Sequence, residues 1–360
     1  MSAAVPKSLF WKRLKKNKGA MAGIVVIVLA FILFTTAYIV APDNTPYANT
    51  IIPEIGSKKP GYHSLLLRVK KQMDINDEGF ISTLINGKTS PYNFIPVVSY
   101  QRKADSIVVE KFVDEGVTEK QSYHISQLAP EPVVEKTYYV GTDKFGRDIL
   151  SRLIVGIRVS LSVGFVAVLI SLTIGILLGA IAGYFRGWID DAIMWLINVI
   201  WSIPTLLLVF AITLALGKGF WQVFIAVGLT MWVNVARLVR GQVLAEREKE
   251  YVEAGKALGF SNTRIIFNHI LPNILGPVMV IAASNFASAI VIEAGLSFLG
   301  VGVQPPQPSW GLMIKENYNF IITNNPMLAL APGIAIMLLV LAFNLLGNGL
   351  RDALNVKAKL

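Results

Sequence analysis

The sequence predicts an all-α integral membrane protein with six transmembrane helices, interrupted once by an inserted small β-rich or α+β extracytoplasmic domain. Three observations carry that expectation. Of 360 residues, 54% are hydrophobic and only 16% charged, with a mean hydropathy of +0.56, more apolar than the core of a soluble domain of this length requires. The apolar residues gather in runs of about 20, enough to cross a hydrocarbon layer of about 30 Å at 1.5 Å per residue. Between the first run and the others, residues 42–140 turn polar, with mixed charges, Gly, Pro and β-branched stretches.

Residues 1–19 are expected to form a basic cytoplasmic terminus, with Lys7, Lys12, Arg13, Lys15, Lys16 and Lys18 preceding the apolar run. The first span follows over 20–41, and the cluster places its leading end inside by the positive-inside rule. A cleaved signal peptide would carry an apolar region of about 7 to 15 residues and a small-x-small cleavage site; neither is present, so the span is read as retained. The net charge of +10 is spread over span ends and residues 42–140 rather than forming a stripe interleaved with aromatics, so no nucleic-acid partner is expected. Membrane lipid is the expected surrounding. There is no cysteine, which excludes disulfides and thiolate sites.

In residues 42–140, the runs IVVEKFV (107–113) and PVVSY (96–100) alternate and are bounded by turn residues, which predicts short strands. Long translocated segments escape the positive-inside count, so the lysines and arginines here fit an outside location. Asn86, Gly87, Lys88 and Thr89 end like a phosphate-binding loop, but Ser82 stands where its leading glycine belongs. His63 and His124 lack the short spacings of zinc ligands. No metal and no cofactor is expected.

Over 141–157, Ile149, Leu150, Leu153, Ile154 and Ile157 recur at helical spacing opposite Arg147, Asp148, Ser151 and Arg152. With Thr142 and Asp143 as caps, this predicts an amphipathic helix on the outer membrane face.

The core, 158–350, is expected to hold five further spans near 159–184, 192–216, 220–239, 274–298 and 329–350, followed by a tail over 351–360. Gly175, Gly179 and Gly183 form a G-x-x-x-G-x-x-x-G face that permits close helix packing. Six spans return the C-terminus to the cytoplasm and keep Arg237, Arg240, Arg247, Lys249, Lys256, Arg264, Arg351, Lys357 and Lys359 inside, leaving Lys218 and Lys315 in the short outer loops. Pro204 and Pro277 should bend their helices. Glu293 is an acid deep in an apolar run; structural bonding near the outer interface is the first reading and lining a translocation path the second. Asn198, Asn234, Asn285 and Asn344 are read as bonding between helices. No H-E-x-x-H or G-x-S-x-G pattern occurs, so no catalytic residue is expected and the chain is not read as an enzyme.

The one long polar interruption of the second half is 240–273. There, 246–258 reads as a helix, Gly259 as its stop, Ser261 as the cap of a second short helix over 262–270, and Pro272 as the end of that helix. Ala254, Gly255 and Ala257 carry little side chain, so another backbone could approach.

The order Glu253, Ala254, Gly255, then Gly259, then Ile270, Leu271 and Pro272 resembles the EAA signature of ABC importer permeases. Gly255 stands where a second alanine is usual, and His269 where isoleucine is usual; the ending HILPN is similar to the dipeptide and oligopeptide branch. GTDKFGRD (141–148) resembles the GTD-x-x-GRD sequence preceding the core in that branch. The resemblance covers the chain outside 51–137. It implies a type I importer fold and an inner-membrane, multi-pass permease of a binding-protein-dependent peptide importer, with both termini cytoplasmic. It also implies partners: ATP-binding cassette ATPase subunits, a second homologous permease or a second copy, and an extracytoplasmic substrate-binding protein. Glu253, Ala254, Gly255, Ala257, Gly259, Leu271 and Pro272 would then engage the ATPase, and Pro204, Asn285 and Glu293 are candidates for the translocation path. The alternatives are an ion-coupled secondary transporter, which would show inverted repeats and paired ionisable residues in broken helices, and a membrane-anchored assembly protein displaying the inserted domain.

Overall fold

The structure, a computed structural model, describes residues 7–72, 79–217, 219–322 and 325–354; Lys218, Lys357 and Lys359 lie outside the described residues. The helices are α1 (Lys7–Lys16), α2 (Lys18–Val40), α3 (Phe80–Asn86), α4 (Ile149–Phe185), α5 (Gly187–Trp201), α6 (Thr205–Leu216), α7 (Phe220–Arg247), α8 (Glu250–Ala257), α9 (Asn262–Arg264), α10 (Leu271–Leu299), α11 (Trp310–Asn317) and α12 (Met327–Leu354). The strands are β1 (Tyr62–Lys70), β2 (Tyr92–Arg102), β3 (Ser106–Asp114), β4 (Val117–His124) and β5 (Leu128–Tyr138). The chain forms two compact units, one of Met1–Phe31, Ser160–Gln304 and Ile336–Leu360, the other of Ile32–Val159 and Pro305–Ala335.

Among the described residues, α2, α4, α7, α12 and the run Asn262–Leu299 are long and apolar enough to cross a membrane, giving five candidate spans, or six if α5 and α6 form one broken span. The expected third span, 192–216, is thus not one helix: α5 and α6 meet at 91°. The cause is Pro204, which has no N–H to donate and whose φ of −54° opens α6. Pro277, by contrast, sits inside α10, which continues past it.

In the first unit, backbones approach closely. A Cβ added at Gly175 would lie 2.5 Å from Val235 Cβ, one at Gly179 2.5 Å from the Ala236 carbonyl oxygen, and one at Gly183 2.8 Å from that of Arg240. The three-glycine face is therefore the seam between α4 and α7 inside this chain. Asp190 of α5 accepts both forks of the Arg240 guanidinium from α7, one at 2.6 Å, a bidentate pair that fixes where α5 starts.

The second unit holds an antiparallel sheet in the order β4-β3-β2-β1-β5, so both strand predictions fall within observed strands, β2 and β3. Alternation along β1 sends Leu67 to a cluster with Val97, Ile107, Val109 and Leu128, and Leu66 to another with Ile52, Ile55 and Tyr138.

Where a separate amphipathic helix over 141–157 is expected, a tight loop forms instead, and the helix that follows is α4 itself. Thr142 bridges Asp148, Gly141 and Gly146 take positive φ, and Asp143 Oδ1 accepts the Phe145 and Arg147 N–H groups at 2.9 and 3.0 Å. Thr142 and Asp143 thus shape the loop rather than cap a helix. Asp148 takes the capping role, its carbonyl accepting the Arg152 N–H at 3.1 Å; burial pushes its carboxyl above the usual range. Nothing in the sequence stops the helix at residue 157, and α4 runs on to Phe185. The loop is held by ions: Arg147 bonds Asp143 at 2.6 Å and Glu316 at 2.8 Å, with all three side chains largely buried.

Candidate functional site

The polar stretch of the first unit folds into a corner. Helix α7 ends at Arg247, Lys249 is extended at φ −86° and ψ 147°, and α8 starts only at Glu250. The expected helix over 246–258 is therefore split. Glu246 belongs to the last turn of α7, where its carboxylate accepts from Lys249 Nζ at 2.6 Å and from the Tyr251 hydroxyl at 2.8 Å. Burial and this bond to Glu246 push the Tyr251 phenol up to about 12.

Helix α8 closes at Gly259 with φ +78°. The Gly259 N–H reaches the Lys256 carbonyl at 2.9 Å and the Phe260 N–H reaches that of Gly255 at 3.0 Å, a left-handed glycine cap satisfying two terminal carbonyls. Ser261 then caps the second helix, accepting from the Arg264 N–H. The predicted stop at Pro272 does not occur: Ile265–Ile270 is a π-helical segment that leads directly into α10. A proline ring clashes with the carbonyl four residues back and donates nothing to it. The wider π turn, with Leu271 N–H bonding the Ile266 carbonyl, accommodates Pro272 without ending the run.

The two arms meet over a core of Val252, Ile265, Ile266, Ile270 and Ile274 packed with Tyr184 and Val243. Glu253, Ala254, Ala257 and Gly259 are exposed and Pro272 is too, whereas Leu271 is half-buried. Gly255 departs from the expected docking role: it is buried, and a Cβ there would lie 3.4 Å from Phe260 and 3.8 Å from Ile265. Both are ordinary contact distances, so the second arm would fold back over an alanine as well. Several contacts were not foreseen. The Tyr184 hydroxyl donates to Asn262 at 2.8 Å, and Phe260 stacks on His269 with centroids 5.6 Å apart while Arg264 covers its ring at 4.0 Å. A planar ring at 269, where isoleucine is usual, is the readable sign of that stack.

The same unit holds a cavity of about 480 Å³ bounded by α5, α6, α7, α10 and α12. Its polar lining is Thr205, Thr230, Asn234, Asn285, Ser288 and Asn344, and none of its lining residues is charged. Asn285 donates weakly to Ser171 at 3.5 Å, as expected for a bond between helices, and lines the cavity as well. Asn234 and Asn344 are exposed to it instead of bonding between helices. Asn198 does bond between helices, accepting from Arg237 at 3.0 Å. Pro204 does not line the cavity, but the break it makes presents Ile203 and Thr205 there. Glu293 does not reach it: fully buried, it accepts from Ser297 at 2.6 Å, whose hydroxyl in turn accepts the Val303 N–H at 3.1 Å. Its first reading, structural bonding, matches this geometry.

The described residues contain no grouping able to hold a metal ion. His63 faces Thr137 and His124 caps a short turn. Gly87, in the phosphate-loop lookalike, instead packs against the backbone of Asn44 and Pro46.

The first unit thus combines long apolar helices, a cavity lined by uncharged residues and a glycine-capped polar corner. The chain belongs to the family described as binding-protein-dependent transport system inner membrane component, whose profile matches residues 175–359. A second profile, the N-terminal TM domain of oligopeptide transport permease C, matches residues 6–60. The chain is 46% identical over 222 residues to the dipeptide transport system permease protein DppC of Alkalihalophilus pseudofirmus, covering 62% of this chain and 73% of that one. It is 41% identical over 222 residues, with the same coverage, to the glutathione transport system permease protein GsiD of Pectobacterium atrosepticum. To the oligopeptide transport system permease protein OppC of Bacillus subtilis it is 39% identical over 224 residues, again covering 62% and 73%. Among solved structures it matches a chain of the MetNI methionine ABC transporter, inward facing, at TM-score 0.48 and 19% identity, covering 57% of this chain and 97% of that one. The family and its apolar helices make it a multi-pass inner-membrane protein.

Proposed function

We propose that this chain is the path-forming subunit of an ATP-driven peptide importer, coupled to a separate ATPase through the corner at 248–273. The observation that carries the reading is the corner itself. Glu253, Ala254 and Ala257 stand exposed on a short helix whose far side is locked to the membrane core by Val252, Gly255 and Ile265. A helix that is small on its outer face and rigidly tied on its inner face transmits a push without yielding, as alternating access requires. Glu250 and Glu253 fall in the first turn of α8, where they complement the helix dipole and offer contacts to basic groups.

Relatives named for dipeptides, oligopeptides and glutathione point to a peptide cargo. The uncharged cavity fits it: side-chain amides offer a donor and an acceptor each, matching a peptide bond, while Ile200, Trp201, Met231 and Val291 supply apolar wall. In this reading α5 and α6 form one span, giving six with both termini in the cytoplasm. The partners in this reading are ATPase subunits, a second permease or second copy, and a binding protein. Two separate crossings by α5 and α6 would instead leave the basic corner and the basic N-terminus on opposite sides.

The test is purification of the tagged chain from membranes in mild detergent, with co-purifying subunits identified by mass spectrometry, in wild type and Glu253→Lys. ATPase subunits should accompany the wild type and be lost or uncoupled in the variant, with the second permease retained. A chain that purifies alone, or whose partners ignore Glu253, removes the coupling assignment. Gly259→Pro, which cannot take the positive φ of the cap, should insert normally yet hydrolyse ATP without uptake.

A further inference from the structure

We infer that α3 of the inserted unit is a lipid anchor, seated in the outer-leaflet interface beside the end of α2. The inference does not rest on the transport reading; it requires only that α2 crosses a membrane. The sequence of α3, FISTLIN, places Phe80, Ile81, Leu84 and Ile85 at i, i+1, i+4 and i+5, one face of a helix, with Ser82, Thr83 and Asn86 opposite. That apolar face is turned outward: Phe80 is 74% exposed, Ile81 72% and Ile85 52%. A seven-residue helix displaying such a face to water would be an aggregation liability, and an apolar patch of this kind marks an interaction surface.

What covers it follows from where it is tied. The Arg158 guanidinium donates to the Ile85 carbonyl at 2.6 Å while lying over the rings of Phe34 and Tyr38 of α2, at 5.8 and 5.1 Å. Phe34 is six residues before the end of α2 at Val40, and Tyr38 two, so at 1.5 Å per residue the carbonyl end of α3 is level with a point roughly 3 to 9 Å below the top of that span. The other tie is the chain just past α2: the Lys88 N–H donates to the Asn44 carbonyl at 2.9 Å. On either side of that depth α2 exposes Ile32 below and Ile39 and Val40 above, the surface a single span presents to lipid. In the inferred arrangement the apolar face of α3 enters the same lipid, and Arg158, its guanidinium bonded to the Ile85 carbonyl and lying over the α2 aromatics, marks the headgroup level. The anchor would hold the sheet of the inserted unit at a fixed height above the bilayer.

The absence of cysteine allows a clean test. Single cysteines at Phe80, at Ile81 and, as an aqueous reference, at the exposed Thr118 of β4 are spin-labelled in the full chain, reconstituted in phosphatidylethanolamine and phosphatidylglycerol vesicles. Collision with oxygen, which partitions into lipid, is compared with collision with a water-soluble nickel chelate. The expected result is an oxygen-to-nickel ratio several-fold higher at 80 and 81 than at 118. A ratio at 80 and 81 equal to that at 118 places α3 in water and overturns the inference. Shielding from both reagents overturns it too, in favour of a protein covering the face.

Discussion

The helical unit and the inserted unit give up their secrets through opposite residues. In the helical unit apolar exposure is uninformative, because lipid takes it; the polar side chains left without a partner, Asn234 and Asn344, mark the cavity. In the inserted unit polar exposure is ordinary, and the informative residues are exposed Phe80 and Ile81 and the buried ions Asp143, Arg147 and Glu316. The packing differs likewise: backbone against backbone across glycines in one, side chains interdigitating on a sheet in the other. A residue's meaning depends on which solvent its unit folds in.

The largest effect that would sharpen this contrast lies among the buried ions. Arg147→Met leaves Asp143 and Glu316 with only the longer contacts to the buried Arg152, at 3.9 and 3.8 Å, and removing one partner of a buried ion pair costs about 3 to 5 kcal/mol. Heat or denaturant unfolding followed by proteolysis of the inserted unit should register that loss, while the double change Arg147→Met with Asp143→Asn should lose less. Equal losses would mean that packing rather than charge holds the loop. Next in size is the glycine seam. Gly179→Leu drives a side chain into the Ala236 carbonyl and Val239, an overpacking of about 3 kcal/mol, read as lost monodisperse protein in detergent. In the inserted unit, Gly116→Ala meets nothing within 4 Å and contends only with a φ of +79°, about 1 to 2 kcal/mol. Similar losses at both would erase the distinction between the units. Smaller again is the pair Asn234→Leu and Asn344→Leu. At about 1 kcal/mol per lost hydrogen bond, uptake of a peptide should fall roughly fivefold for each change and about thirtyfold for both, with ATP hydrolysis intact. Unchanged uptake would take the two amides out of the path.

Legibility followed the same divide. Five long apolar helices, the bend at Pro204, the glycine face, and the Gly259 and Ser261 caps were readable because each depends on local rules: run length, a missing donor, a missing side chain, a positive φ. The strands of the inserted unit were readable from alternation. What failed was punctuation. Pro272 does not stop its helix because a π turn absorbs it, and Thr142 and Asp143 do not cap because two glycines of positive φ curl the chain first. The identity of the family was legible in the corner, yet the buried side of Gly255 was not, since burial is set by Phe260 and Ile265 folding back. The matched profiles stop at residue 60 and resume at 175, so the inserted unit had to be read from its chemistry alone, and FISTLIN, a clean amphipathic helix in so polar a stretch, was the signal passed over.

The smallest effect tests whether the corner is as rigid as the coupling role proposed for it demands. The Tyr251 phenol is raised from its ordinary value of 10.0 to about 12 by burial and by donating to Glu246. A raised folded value means the neutral form is favoured on folding. The contribution is therefore complete below pH 10 and is lost as pH climbs from 10 to 12, when the folded chain must ionise a phenol beside a carboxylate. The difference in tyrosinate absorbance between wild type and Tyr251→Phe isolates this one group. It should titrate near 12 in the folded protein and near 10 in denaturant. A folded midpoint near 10 would show the hydroxyl free of Glu246 and the corner loose, and a loose corner cannot pass an ATPase's motion to the spans.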